Sequence, residues 1–184
     1  MSGIGLPGRI QSVEALMTLT WSPEELCSQF SNAVSRFAAL LAREPADAED
    51  LAQDVLIKAI HALPRFNAER GSMDAWLWAI AVNAAKDRQR SDSRRLGLWR
   101  MLLRTPNPEL ESPESRAIRN LETARVRRSM QRLEPRERML IALRYGADLD
   151  YESAGRATGI SEEAARKATE RSLRKLRALM EAKP

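Results

Sequence analysis

The chain has 184 residues, of which 43% are apolar and 30% charged, too much apolar material for a disordered tail and enough for one domain or two small ones. Aromatic residues are scarce at 5%, with only 8 Gly and 9 Pro, which disfavours a sandwich or barrel and favours helices. Thirty Lys and Arg against 25 Asp and Glu give a formal charge of +5, which suits a polyanionic partner, although both signs are abundant and their placement matters more than their sum.

A single cysteine, Cys27, and a single histidine, His61, exclude an internal disulfide and any Cys/His cluster with zinc-ligand spacing, and both read as structural. No apolar run approaches membrane-spanning length. The first twenty residues lack a basic segment followed by an apolar one, so they do not read as a signal peptide. The expected location is the cytoplasm, with no membrane contact.

In chain order, residues 1–22 read as a loose extension rich in glycine, with room for a short helix around Val13–Thr18. Ser22-Pro23-Glu24-Glu25 then carries a cap, a proline suited to a first helical position and two acids at the positive helix end. Leu26, Phe30, Val34, Phe37, Leu40 and Leu41 continue at helical spacing, predicting a helix over Pro23–Arg43. Pro45 breaks it, Asp47 is placed to cap the next helix, and Pro64 ends that one after Leu51, Val55, Ile57, Ala59 and Ile60. Arg65–Gly71 reads as a basic, aromatic loop. Ser72 caps a third helix to about Arg90, in which Trp76 shares a stripe with Ile80 and Ala84 and is expected in the core, whereas Trp78 lies off it.

Between Ser91 and Ser115 the composition shifts to basic residues and then to TPNPELESPES, whose prolines resist packing and predict a linker. Leu96–Leu103 is undecided. Helices follow over Glu114–Arg132, Pro135–Arg144, Asp150–Thr158 and Ser161–Ala182. The expected fold is all-α, two small helical domains joined by a Pro-rich linker, divided as 1–22, 23–90, 91–115 and 116–184.

Asp150–Arg177 has the pattern of a helix-turn-helix. A short helix ends at Gly159, Ile160 plugs the space between helices, and Ser161 caps the next. On the last helix Ala165, Ala168, Ser172, Leu176 and Leu179 are expected inward. Glu163, Arg166, Lys167 and Glu170 could then reach base edges, and Arg171, Arg174 and Lys175 suit phosphates. The less favoured alternative is that these residues are only a solvated helix face. The inward face is small, so the motif should depend on Leu140, Leu143, Leu173 and Leu176 for stability.

DAEDLAQDVLIKAIHALPRF (Asp47–Phe66) followed by MDAWLWAIAVNAAKDRQR (Met73–Arg90) resembles region 2 of bacterial sigma factors, and the run from Leu133 to Arg177 resembles region 4. The order, with no region-3 domain between, is that of the extracytoplasmic-function group. The resemblance implies that Asp50, Gln53, Asp54 and Ile57 bind core RNA polymerase. It implies that Arg65, Phe66, Asn67, Arg70, Trp78, Asn83, Lys86 and Arg90 act on single-stranded −10 promoter DNA, Asn83 and the loop pocketing a flipped base. Ser161, Glu163, Arg166, Lys167, Glu170, Arg171, Arg174 and Lys175 would meet the −35 duplex. An anti-sigma partner is also implied, and no cofactor, metal or enzymatic activity is expected. Ala164, Ala165, Ala168 and Glu170 on the last helix, and Gly155 and Thr158 before it, depart from the usual pattern and leave the −35 sequence open. A duplex-binding regulator that does not engage polymerase is the alternative. An enzyme acting on nucleic acid is disfavoured, because no phosphate loop, metal cluster or nucleophile–base pair can be identified.

Overall fold

The computed structural model of the chain describes residues 21–99 and 124–182, without the side chains of 92–99, and every regular element among them is helical. The expected helix at Val13–Thr18, the Pro-rich part of the expected linker and the start of the helix expected at Glu114 lie outside the described residues.

Helix α1 (Pro23–Leu41) begins where the sequence predicts. The Ser22 hydroxyl accepts from the Glu25 N–H (3.1 Å), the Glu25 carboxylate accepts from the Ser22 N–H (2.8 Å), and Pro23 takes the first position. It ends two residues earlier than expected. Helix α2 (Pro45–Ala62) starts at its proline, so Pro45 opens this helix as well as separating it from α1, and Glu44 rather than Asp47 is the N-cap. Asp47 instead lies in the first turn and pairs with Arg88 (2.8 Å).

Two 3-10 turns (Leu63–Arg65 and Ala68–Arg70) lead to α3 (Met73–Trp99), whose N-terminus is held by the Ser72 hydroxyl accepting from the Ala75 N–H (3.2 Å). Helix α3 runs nine residues into the stretch expected to be linker. The basic, polar sequence Ser91–Arg95 carries no breaker, so a helix packed at its start can extend through it.

In the second half, α4 covers residues 124–131, and α5 (Pro135–Ile141) passes into a π-helical turn, Ala142–Gly146, instead of ending at Arg144. Arg138 closes the end of α4 by donating to the carbonyls of Gln131 (3.1 Å) and Leu133 (2.9 Å). Helices α6 (Tyr151–Thr158) and α7 (Glu162–Glu181) complete the fold, capped by Asp150 and Ser161.

The main core joins Leu26, Phe30, Val34 and Phe37 of α1 with Leu51 and Val55 of α2 and Leu77, Trp78 and Val82 of α3. It does not stop at the boundary between the halves. Met139, Leu143, Leu149 and Ala154 belong to the same cluster. A smaller cluster, Met130, Leu133 and Ile141, is covered by Leu173, Leu176 and Leu179 of α7. The two halves are therefore packed together.

Candidate nucleic-acid and polymerase interface

Residues 50, 53, 54 and 57 recur at spacings of three and four, so α2 brings them to one face. Asp50 and Gln53 are exposed, and Asp54 is half-buried and bonded to Lys58 (2.7 Å). Ile57 is 51% exposed, one of two large apolar side chains found outside among the described residues. The acidic patch has a partner that sequence reasoning missed. Arg88 of α3 reaches back to Asp47 (2.8 Å) and Asp50 (3.4 Å). Burial opposes the Arg88 charge, but the bonds to the two carboxylates outweigh it and raise its pKa. A distance of some forty residues in sequence leaves no local signal for this pair.

The loop and α3 form a second group. Asn67 accepts from the Glu69 N–H (2.8 Å), which shapes the turn, and Arg65 and Arg70 are exposed on either side. Phe66 is half-buried and meets Trp76 edge-on, ring centroids 5.4 Å apart. Asn83, Lys86 and Arg90 form an exposed stripe at helical spacing along α3.

Of the two roles open to Trp78, stacking on a base or packing, it takes the second, and Trp76, expected in the core, is only partly buried against it. Trp78 is 2% exposed and packs edge-on against Phe37 (5.5 Å), so it cannot stack on a base without unfolding the core. Trp76 is the half-buried one, beside the loop. Buried positions on α3 include Leu77, Trp78, Ala81, Val82, Ala84 and Ala85. This apolar face is wider than a single stripe because α3 is covered by elements of both halves.

The third group lies on α7. Glu163, Arg166, Lys167, Glu170, Arg171, Arg174 and Lys175 are all exposed, while Ala165, Thr169 and Ser172 are buried. Thr169 was not among the inward residues expected. Its hydroxyl donates to the Ala165 carbonyl (2.8 Å) and that of Ser172 to Ala168 (2.7 Å), which lets two polar residues face inward without loss. The turn follows the sequence reading. Gly159 is left-handed (φ 77°), and the Ser161 hydroxyl accepts from the Ala164 N–H (3.3 Å). Gly155 permits the approach of the two helices, since a Cβ there would stand 2.8 Å from the Ile160 carbonyl oxygen.

Two basic residues of α7 are engaged with acids. Lys167 pairs with Glu163 (2.6 Å), and Lys175 with Glu137 of α5 (2.9 Å). Burial works against the Glu137 carboxylate, but the Lys175 bond and the Glu134 N–H outweigh it and hold its pKa below the ordinary value. No group of three or more His, Cys, Asp or Glu among the described residues is placed to hold a metal ion, and no described helix is long and apolar enough to cross a membrane.

Comparison with known proteins agrees with this layout. The Sigma-70 region 2 family matches residues 26–95, and the Sigma-70, region 4 family matches residues 129–178. The ECF RNA polymerase sigma factor ShbA of Streptomyces griseus is 34% identical over 149 residues, covering 77% of this chain and 78% of that protein. Among solved structures, CnrH in complex with the cytosolic domain of CnrY superposes with a TM-score of 0.65 at 24% identity, over 94% of this chain and 96% of that one. Sigma factor RpoE, in complex with the anti-sigma factor NepR from Bartonella quintana, gives 0.66 at 20% identity over 88% and 98%. With both regions present in order and a curated relative matched along most of its length, the chain belongs to the sigma-70 family of RNA polymerase sigma factors, a family of transcription initiation factors, within its extracytoplasmic-function group.

Proposed function

We propose that the chain docks on core RNA polymerase through Asp50, Gln53, Asp54 and Ile57 and directs it to promoters by opening −10 DNA and reading the −35 duplex. The observation that carries this reading is the face of α2. A large apolar residue, Ile57, stands half-exposed in line with Asp50 and Gln53, a mixture suited to a protein partner and of no use to a nucleic-acid backbone. The stripe Asn83, Lys86 and Arg90, with the loop Arg65–Arg70, would hold single-stranded −10 DNA. Phe66 and Trp76 are the aromatic surface nearest that loop. Region 4 would place Ser161 and the outer face of α7 in the −35 major groove, Glu163, Arg166, Lys167 and Glu170 toward bases and Arg171, Arg174 and Lys175 toward phosphates.

A partner that covers these faces would hold the factor idle, and an anti-sigma factor, such as the one in complex with RpoE of Bartonella quintana, is the kind of partner expected; the cytoplasm is where such a factor would work. The chain itself performs no catalysis in this reading.

Run-off transcription with core polymerase on a promoter pool tests the proposal. Promoter-specific transcripts are expected from the wild type. Asp50→Ala/Asp54→Ala should lose them through weaker polymerase binding, and Asn83→Ala through poorer opening with polymerase binding retained. Tight duplex binding without polymerase, and no transcripts with it, would replace this reading with that of a plain regulator.

A further inference from the structure

Three arginines from different elements line one cavity. Arg43 follows the end of α1, Arg88 stands on α3 and Arg138 on α5, and with Asp47 of α2 they surround a space of about 110 Å³. Its floor is apolar, made by Leu41, Leu51, Ala85 and Met139, the last three of them buried. The space falls short of the roughly 150 Å³ that takes a benzene ring, so it admits a short aliphatic chain and no larger body.

The cavity carries more positive charge than its own carboxylate can answer. Asp47 is the one acid in the lining, and Arg88 already holds it (2.8 Å). Arg43 is exposed, and its side chain has no hydrogen bond or ion pair among the described residues. Arg138 uses Nη1 for the carbonyls of Gln131 and Leu133. That leaves its Nε–Nη2 edge, the side-on fork that grips a carboxylate or phosphate through two bonds, without a partner among the described residues. Burial and the like charge of Arg43 both lower the Arg138 pKa, and Glu134 offsets this only in part. An anion beside Arg43 and Arg138 would relieve that repulsion.

Charge and floor together select a class of ligand. Three guanidinium groups against one carboxylate leave an excess of two positive charges, which suits a phosphate monoester, about −2 near neutral pH, better than a carboxylate. The apolar floor calls for carbon next to the head, which inorganic phosphate lacks. We propose that this cavity is a binding site for a small organic phosphate, with Arg43, Arg88 and Arg138 around the phosphate and a short aliphatic body on Leu51, Ala85 and Met139. None of the lining residues belongs to the sets assigned to polymerase or to promoter DNA, so the site stands whether or not the sigma-factor reading does.

Titration calorimetry of the full chain with butyl phosphate tests the site, with inorganic phosphate, pentanoate and butanol as comparison probes. Saturable, single-site binding of butyl phosphate is expected. Each comparison probe should bind about tenfold more weakly or worse, because it lacks the body, the second charge or the head. Arg43→Gln should weaken butyl phosphate by about fivefold or more through the lost charge-assisted bond. Its helical circular dichroism should be unchanged, since Arg43 is exposed and holds nothing in the fold. Arg138→Lys keeps the charge but loses the fork and should also weaken binding; if it loses helix content, Arg43→Gln decides the matter. Arg128→Gln removes an exposed arginine of α4 outside the cavity and should leave binding as it is. The site is overturned by an absence of saturable binding at millimolar butyl phosphate, or by any comparison probe that binds as tightly. Equal losses from Arg43→Gln and Arg128→Gln also overturn it, because the basic surface then attracts phosphate without a built cavity.

Discussion

Region 2 and region 4 reach stability by different means. The first half is held by volume: Leu26, Phe30, Phe37, Leu77 and Trp78 interlock in one core, with the Phe37 and Trp78 rings edge to face. The helix-turn-helix is held by proximity. Ala154, Gly155, Ala165, Thr169 and Ser172 allow close backbone approach and bury little area, and its support is divided: Ala154 joins the shared core with Leu143 and Leu149, while the leucines of α7 rest on Met130, Leu133 and Ile141. The first half should therefore be sensitive to lost volume and the second to added volume.

Phe37→Ala tests the first arm of the contrast and should have the largest effect. Emptying a fully buried aromatic site costs about 3–5 kcal/mol. Urea denaturation should show the loss, with a lower midpoint for both halves because the core is shared. Gly155→Ala tests the second arm. It adds one methyl group against the Ile160 and Ser161 backbone and should cost about 1–3 kcal/mol. Its signature is loss of binding to a −35 duplex with single-stranded −10 binding retained, and equal loss of both would remove the distinction.

Asp150→Ala should cost about 1 kcal/mol, because the carboxylate accepts from the Ser153 N–H (2.7 Å) and caps α6. That bond lowers the Asp150 pKa below its ordinary value of 3.8. The contribution is thus full above 3.8 and is lost as pH falls through the lower folded value. Thermal melts from pH 6 down to pH 2.5 should show wild type and Asp150→Ala converging at the acid end. Glu163→Ala sharpens the comparison from the solvent side. Its ion pair with Lys167 is exposed, so stability should change by less than about 0.5 kcal/mol in a thermal melt.

What the sequence discloses divides along the same line. Caps and turns at Ser22, Ser72, Gly159 and Ser161 are local decisions, and each is legible because a hydroxyl or a missing side chain acts within four residues, whereas the cap expected at Asp47 gives way to a helix that opens earlier, at Pro45. The outward stripe of α7 is legible for a related reason, since one face of a helix follows from spacing alone. The tryptophans were not. Periodicity finds one stripe on α3, but Trp78 is buried by α1 from a second direction that no pattern within α3 encodes. The Arg88 pairs are similarly hidden, because each joins residues far apart in sequence. The end of α3 at Trp99 is not legible because Ser91–Arg95, where the linker is expected to begin, contain nothing that stops a helix.

One consequence of α7 concerns how such a factor can change over generations. Its inner face is confined to Ala165, Thr169, Ser172 and the leucines beyond, while the seven side chains proposed to meet DNA are exposed, with Lys175 tied to Glu137 of α5. Exposed substitutions of this kind ordinarily shift stability by half a kcal/mol or less, about the noise of a folded domain. In the proposed reading, promoter preference can therefore drift through Glu163, Arg166, Lys167 and Glu170 while the scaffold stays fixed, which separates the inheritance of the fold from the inheritance of its target.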